Sequence, residues 1–138
     1  MDLTKFCISQ NKAMLQPERI KKLLEQTYWA QARTLEEIER SIVYSECVGV
    51  YLRQTGEQIA FARVITDYVS MFYLCDVIVD QDYRGEGIGK ALVNEVVSDV
   101  RFRNLRGLLA TRDAHGLYAQ FGFEIYPDRY MGRPGEGP

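Results

Sequence analysis

The chain is short of the residues that form most metal sites and disulfide frameworks. Its 138 residues include three cysteines and one histidine, and no two cysteines stand in a C-x-x-C pair. The wide spacing of Cys7, Cys47 and Cys75, with His115 as the one imidazole, argues against a zinc site. We therefore expect no metal centre and three reduced thiols, most of them packed inside a cytoplasmic protein.

Long apolar runs and a strong charge of either sign are also missing. No run approaches the roughly 20 apolar residues needed to span a bilayer, and the segment from Met1 to Phe6 lacks the basic-then-apolar order of a signal peptide. Lys and Arg number 17 against 19 Asp and Glu. The sequence therefore predicts a cytoplasmic protein with no nucleic-acid or membrane partner, while a local basic patch at a phosphate site stays compatible with it.

One globular domain accounts for the length and the composition. Hydrophobic residues make up 46% of the chain and charged residues 26%, which is ordinary for a domain of this size. The one compositional break is the Gly- and Pro-rich end of the chain. We predict a single domain over residues 1–131 and a flexible tail over 132–138.

Helical and strand periodicities alternate along the chain. In the first half the pattern predicts a strand at 6–9, a helix from Pro17 to about Gln26, a helix opened by the capping box Thr34–Glu37 and continuing to about Ile42, and a hairpin of strands 48–52 and 58–66. In the second half it predicts a strand at 72–79 and then a helix. The apolar face of this helix runs from Ile88 to Val100, and residues 104–107 end it. A short buried strand at 108–111, a helix at 114–120 and a last strand at 123–126 follow. This order predicts a mixed α/β sheet.

The most informative stretch follows the strand at 72–79 and reads Arg84-Gly-Glu-Gly-Ile-Gly-Lys90. Its glycines let the backbone approach a ligand closely, and the helix that follows presents unpaired N–H groups and a positive dipole end. Such a loop suits phosphate oxygens. Arg84 and Lys90 would add positive charge at its two ends.

Spacing distinguishes this loop from two common phosphate loops. A dinucleotide fingerprint needs a glycine where Lys90 stands, and a Walker A loop needs a glycine at Arg84 and Ser or Thr at Ala91. The pattern that fits is R-x-x-G-x-G, at Arg84, Gly87 and Gly89. It resembles the pyrophosphate-binding motif of the Gcn5-related N-acetyltransferases.

A second stretch, Leu117-Tyr-Ala-Gln-Phe-Gly-Phe-Glu124, resembles the tyrosine helix and Gly-Phe turn of the same family. The order of elements from Tyr73 to Tyr126 also matches, whereas the N-terminal half matches by element order alone. The resemblance implies an α/β fold with a mixed, mostly antiparallel central sheet, a splayed parallel strand pair and helices on both faces.

The resemblance further implies that acetyl-coenzyme A is the cosubstrate and that an amine, which we expect to be a small molecule, attacks its thioester directly. The pantetheine arm would bond the backbone of one strand, and the pyrophosphate would lie on the loop amides. The implied binding residues are Val77, Ile78, Val79, Arg84, Gly85, Glu86, Gly87, Ile88, Gly89 and Lys90. Homodimers are common in the family, and the oligomeric state stays open.

Tyr118 matches the family tyrosine whose hydroxyl protonates the departing thiolate. The alternative is an ordinary tyrosine half-buried against the sheet. Many relatives carry a glutamate base on the strand that corresponds to 108–111, and here that strand has none. This absence leaves open a non-catalytic module that binds coenzyme A or an acyl-coenzyme A as a sensor.

Asp76 is the candidate general base. In simple strand alternation it shares a face with Leu74 and Ile78, and burial there would raise the pKa of its carboxyl. A structural aspartate bonded to a loop amide is an equal alternative, and Asp67 is a weaker candidate base.

Four further residues are left with two interpretations each. Tyr28 and Trp29 either line an amine pocket or pack in the core. Asp113 is expected to cap the helix at 114–120 rather than to act in catalysis. His115 is expected to be exposed, with a place at the cofactor mouth as the alternative.

Overall fold

The computed structural model describes residues 1–135, in which five strands form one sheet. The strands are β1 Phe6–Ser9, β2 Glu46–Leu52, β3 Gln58–Thr66, β4 Met71–Val79 and β5 Arg106–Leu108. The helices are α1 Pro17–Glu25, α2 Leu35–Val43, α3 Ile88–Val97 and α4 His115–Ala119. The predicted first strand, first two helices and hairpin are thereby confirmed, and the predicted capping box forms at Thr34, with Glu37 N donating to Thr34 Oγ1 over 3.2 Å.

The strands lie in sequence order across the sheet, antiparallel from β1 to β4. β4 and β5 are parallel, and their pairing runs only from Met71–Arg106 to Tyr73–Leu108. Past Tyr73 the two strands no longer pair, so residues 74–79 of β4 have a free edge on that side. The predicted α/β fold, with a mixed and mostly antiparallel sheet and a splayed parallel pair, is confirmed.

Helices cover both faces of the sheet. The apolar side of α1, with Ile20 and Leu23, packs on Phe61 of β3. Leu92 and Val96 of α3 pack on the opposite face. Both helices bury residues three or four positions apart, which is the spacing that places side chains on one face of a helix.

A bulge interrupts β4 in its middle. Asp76 and Val77 together oppose Ala62 of β3, and Asp76 has a φ of 52°. The extra residue reverses the faces, so Leu74 packs in the core on the α3 side and Ile78 in the core on the α1 side. The simple alternation that placed both residues on one face with Asp76 is therefore wrong.

The other boundary errors lie in the C-terminal third. α3 ends at Val97 rather than near 104–107, because a turn closed by Phe102 N on Asp99 O (2.9 Å) buries Phe102 and leaves Val100 73% exposed. β5 is at Arg106–Leu108 instead of 108–111. Residues 123–126 form no strand in the described chain.

The predicted tail at 132–138 is described only in part, since residues 136–138 lie outside the described residues. Within residues 1–135, none of the helices has both the length and the apolar character that crossing a membrane requires.

Candidate functional site

A cleft of about 1350 Å³ opens at the free edge of β4. Residues 73–79 form one wall, and residues 110–114 together with Leu117 and Tyr118 of α4 contribute the other. The glycine loop follows the carboxyl end of β4 and borders the cleft there. Tyr28 and Trp29, from the connection between α1 and α2, also line it.

The glycine loop has the conformation that its sequence predicts. Gly85 and Gly87 have φ values of 84° and 79°, in the left-handed region that side chains with a Cβ rarely adopt. In the part of the chain that the structure describes, the N–H groups of Gly85, Glu86 and Gly87 donate to no protein acceptor. The first turn of α3 adds further unpaired N–H groups, so the loop forms a row of donors beside the cleft.

The predicted binding residues gather around this cleft with one exception. All of them except Glu86 line it. The Glu86 carboxylate is 3.9 Å from Lys5 Nζ on the surface. Arg84 Nε donates to Val79 O over 3.4 Å, so this side chain turns back toward β4. A Cβ placed on Gly89 would lie 3.7 Å from Leu117 Cδ2, in ordinary contact, so the fold tolerates a side chain there.

Tyr118 of α4 is 9% exposed and lines the cleft. Its ring packs edge-on against Phe123, with centroids 6.1 Å apart. Burial above all, together with the negative charge of Asp113, raises the pKa of Tyr118 to about 12. The hydroxyl therefore keeps its proton at neutral pH and is chemically able to donate it.

Asp76 also lines the cleft, but its carboxylate is fully engaged. Arg33 Nη1 and Arg63 Nε donate to Oδ2 at 2.7 and 2.8 Å, and Trp29 Nε1 donates to Oδ1 at 3.2 Å. Burial alone would raise the pKa of this carboxyl, yet the two guanidinium groups outweigh it and hold the pKa below its ordinary value. The expected raised pKa is wrong. The geometry favours the structural interpretation, with side chains rather than a loop amide as partners.

Asp67, the weaker candidate base, lies in the turn after β3 and does not line the cleft. Its Oδ1 accepts from Val69 N and Ser70 N at 2.9 and 2.8 Å. These bonds stabilise the turn and the ionised carboxylate.

Three arginines of the site were not identified from sequence. Arg63 interrupts an otherwise apolar run in β3, and that interruption was the available signal of a buried counter-charge. Arg33 had no such signal. The Arg112 guanidinium carbon lies 3.7 Å from the ring centre of Tyr28, which joins the segment after β5 to the segment between α1 and α2.

Trp29 and Tyr28 are each 45% exposed and pack edge to face, with centroids 5.0 Å apart. Of the two interpretations, the structure favours the one in which they line the cleft. His115 is exposed and lines a neighbouring cavity of about 860 Å³ instead.

The predicted cap at Asp113 is wrong. Thr111 Oγ1 accepts from Ala114 N at 3.0 Å, and α4 begins after Ala114. α4 therefore starts one residue later than expected, and in the described chain no side chain bonds its first N–H groups.

Comparison with known proteins agrees with this geometry. Residues 44–125 match the family model described as an acetyltransferase (GNAT) domain. The crystal structure of a protein from Xanthomonas campestris pv. campestris assigned to the GNAT family is 40% identical, with a TM-score of 0.87 over 94% of this chain and 93% of that one. Serotonin N-acetyltransferase 2, chloroplastic, of Oryza sativa subsp. japonica is 30% identical over 105 residues, which cover 72% of this chain and 52% of the rice protein. The chain thus spans about half the length of this relative.

A more distant structure shares the fold alone. Glucosamine-6-phosphate N-acetyltransferase from Arabidopsis thaliana is 17% identical and superimposes with a TM-score of 0.69, over 93% of this chain and 97% of that one.

Proposed function

The chain belongs to the Gcn5-related N-acetyltransferase (GNAT) family, and we propose that it transfers the acetyl group of acetyl-coenzyme A to an amine. One observation carries the proposal. A row of free loop N–H groups and a protonated phenol, Tyr118, border the same cleft at the free edge of β4.

The loop end of the cleft suits the diphosphate of coenzyme A. Successive N–H groups at a helix start bind phosphate oxygens, and the helix dipole favours their charge. Arg84 and Lys90 add two cations at this end. We propose that the pyrophosphate binds the amides from Gly85 to Lys90, and that the pantetheine arm binds the backbone of residues 77–79, whose outer edge is free of β5.

The chemistry follows from direct attack. The amine nitrogen forms a bond to the acetyl carbonyl carbon, the tetrahedral intermediate collapses, and the C–S bond breaks. The amine loses one proton to a base or to solvent. The departing thiolate takes a proton from Tyr118, and solvent restores that proton. The products are an amide and free coenzyme A.

Direct proton abstraction by Asp76 receives little support. A carboxylate that accepts from three donors and has a lowered pKa is a weak base. We propose instead that Asp76 positions Trp29 and Arg33 beside the cleft.

The acceptor is proposed as a small amine. The rice relative is named for serotonin, and a relative from Glycine max is named as a histone acetyltransferase. These names suggest the first acceptors to compare. The cytoplasmic location stays a prediction, and the rice relative carries the word chloroplastic in its own name.

Turnover tests the proposal. The protein is incubated with acetyl-coenzyme A and serotonin, glucosamine 6-phosphate or a histone peptide, and release of free thiol is followed alongside the acetylated product. We expect one amine to give product and thiol in equal amounts. Tight binding of coenzyme A without turnover of any amine would contradict the transfer and would favour the sensor.

A further inference from the structure

The carboxylate of Asp113 is the feature of the cleft that the proposed chemistry leaves unused. Asp113 lies between β5 and α4 and lines the cleft together with Tyr118. α4 begins after Ala114 and no side chain bonds its first N–H groups in the described chain, so Asp113 has no capping role. Within residues 1–135, its carboxylate takes part in no hydrogen bond or ion pair, and it is exposed to solvent.

The other two carboxylates that line the cleft are engaged. Asp76 is paired with two arginines, and Glu25 lies 3.3 Å from Lys21 Nζ on α1. Burial is the main cause of the raised pKa of Tyr118, and the charge of Asp113, on the same wall of the cleft, contributes to it. An uncompensated negative charge therefore stands at the Tyr118 side of the cleft.

The positive charges of the cleft are not paired with Asp113. Arg84 and Lys90 belong to the loop end of the cleft. Arg112 precedes Asp113 in sequence, but its guanidinium stacks on the Tyr28 ring at 3.7 Å and forms no ion pair with Asp113 in the described chain. This stacking joins the segment that carries Asp113 to the segment that carries Tyr28 and Trp29. A carboxylate without a partner, in a cleft that aromatic side chains also line, is a suitable site for an organic ammonium ion.

We propose that Asp113 binds the protonated amino group of the acceptor and thereby selects alkylamines, which are cationic at neutral pH, over uncharged arylamines. The inference rests on the proposed acetyl transfer. Asp113 is a specificity-determining residue that holds the ammonium group as it enters the cleft. Since the amine must lose a proton before it attacks, we expect the contribution in acceptor binding rather than in kcat.

The substitution Asp113→Asn tests this with two acceptors at pH 7, serotonin as the cationic amine and an aniline as the uncharged one. We expect kcat/KM for serotonin to fall roughly three- to fivefold, near the upper end of the range for an ion pair at an exposed carboxylate, mainly through KM. Values for the aniline and the KM for acetyl-coenzyme A should change less than about twofold, since neither involves the lost charge. Calorimetric binding of each amine to the coenzyme A complex gives the same comparison without turnover.

Two further variants separate the charge from the fold. Asp113→Glu should restore most of the affinity for serotonin. Asp128→Asn makes the same change of net charge at an exposed aspartate outside the cleft and should leave both acceptors unaffected. Equal losses for serotonin and the aniline, or no loss for serotonin, would overturn the inference. A wild-type protein that acetylates no amine would instead contradict the proposed function itself.

Discussion

The indole Nε1 of Trp29 donates a hydrogen bond to Oδ1 of Asp76 over 3.2 Å, which connects the segment between α1 and α2 to the bulge of β4. Arg33 reaches the other oxygen of the same carboxylate at 2.7 Å. One buried carboxylate thus holds two side chains of a segment that otherwise presents its aromatic residues half-exposed to the cleft.

Replacing Asp76 with Asn should destabilise the protein. The Asp76 side chain is 3% exposed, and the change leaves two arginine charges without a counter-ion. We expect the free energy of unfolding to fall by about 2–3 kcal/mol. This is no more than the lower end of the roughly 3–5 kcal/mol lost when a fully buried ion pair is broken, because Arg33 is partly exposed. Urea denaturation measures this, and the exposed Asp82→Asn serves as a control expected to stay within about 0.5 kcal/mol of wild type.

The same variant tests the hypothesis that Asp76 is the general base. A base would set the acid limb of the kcat/KM profile, and Asp76→Asn would remove that limb with little loss of stability. Because the pKa of Asp76 is lowered, we expect the opposite, an acid limb that persists in a destabilised variant. Loss of the limb in a variant of wild-type stability would restore Asp76 as the base.

The contribution of Asp76 to stability should depend on pH with a definite sign. Its folded-state pKa lies below the ordinary value of 3.8, so the unfolded chain takes up the proton first as the pH falls. The stabilisation is complete above about pH 4 to 5 and is lost as the pH falls through the folded-state pKa. Asn at this position does not titrate. The difference in free energy of unfolding between wild type and Asp76→Asn should therefore narrow below pH 4, and a difference that is constant down to pH 2 would contradict this.

The proposed binding of the coenzyme A pyrophosphate to the loop amides is best tested by a substitution at Gly89. Gly87 has a φ of 79°, so Gly87→Val adds backbone strain to any effect on binding. Gly89 is in the first turn of α3 with room for a Cβ, and Gly89→Val should fold while its side chain intrudes on the amides. We expect coenzyme A affinity to fall at least about 10-fold by calorimetry, because charge-assisted hydrogen bonds are lost.

Gly116→Val is the matched control for the loop. Gly116 is also a helical glycine, and a Cβ placed on it meets nothing within 4 Å. Unchanged coenzyme A affinity in a folded Gly89→Val protein would refute the proposed placement of the pyrophosphate.

Local signals made the N-terminal elements and the loop predictable. The capping box at Thr34 bonds N–H groups at the start of α2, and Pro17 starts α1 because its φ suits a helix and it has no N–H to satisfy. In both cases a short window of neighbouring residues contains the whole cause. The glycine spacing likewise reports a requirement for positive φ at Gly85 and Gly87. Such causes do not depend on the rest of the fold.

The features that the sequence failed to predict depend on residues far away in sequence. The bulge at Asp76 exists in the pairing of β4 with β3, and nothing next to Asp76 in sequence announces it. Its three donors come from β3 and from the segment between α1 and α2, both distant in sequence. The residues at 123–126 have an apolar content that suits a strand, yet Ile125 is 72% exposed and no neighbouring edge pairs with the segment in the described chain.

The protein should be more stable when Tyr51 lacks its hydroxyl. Its side chain is 2% exposed, and its hydroxyl is the one buried side-chain polar atom without a partner in residues 1–135. The ring fills the space beside Gly49, where a Cβ would clash with it. A buried hydroxyl without a hydrogen bond carries a desolvation cost, so Tyr51→Phe should raise the free energy of unfolding by about 1 kcal/mol. A higher urea midpoint with an unchanged m-value would agree, and a loss above about 1 kcal/mol would indicate a hydrogen-bonded water at the hydroxyl.

Tyr118→Phe tests the proton donor. The substitution keeps the ring that packs on Phe123 and removes the hydroxyl, and Tyr51→Phe is the control for removing a phenol outside the cleft. If Tyr118 protonates the thiolate, kcat should fall roughly 100- to 10,000-fold with coenzyme A affinity nearly unchanged.

Because the pKa of Tyr118 is raised to about 12, the proton is present from neutral pH to about pH 11, and Tyr118 should produce no alkaline limb in that range. A leaving thiol of lower pKa needs less help from an acid, so an acetyl thioester of a more acidic thiol should recover part of the rate that Tyr118→Phe loses. A fall of less than about fivefold, or equal losses for both thioesters, would exclude proton donation by Tyr118.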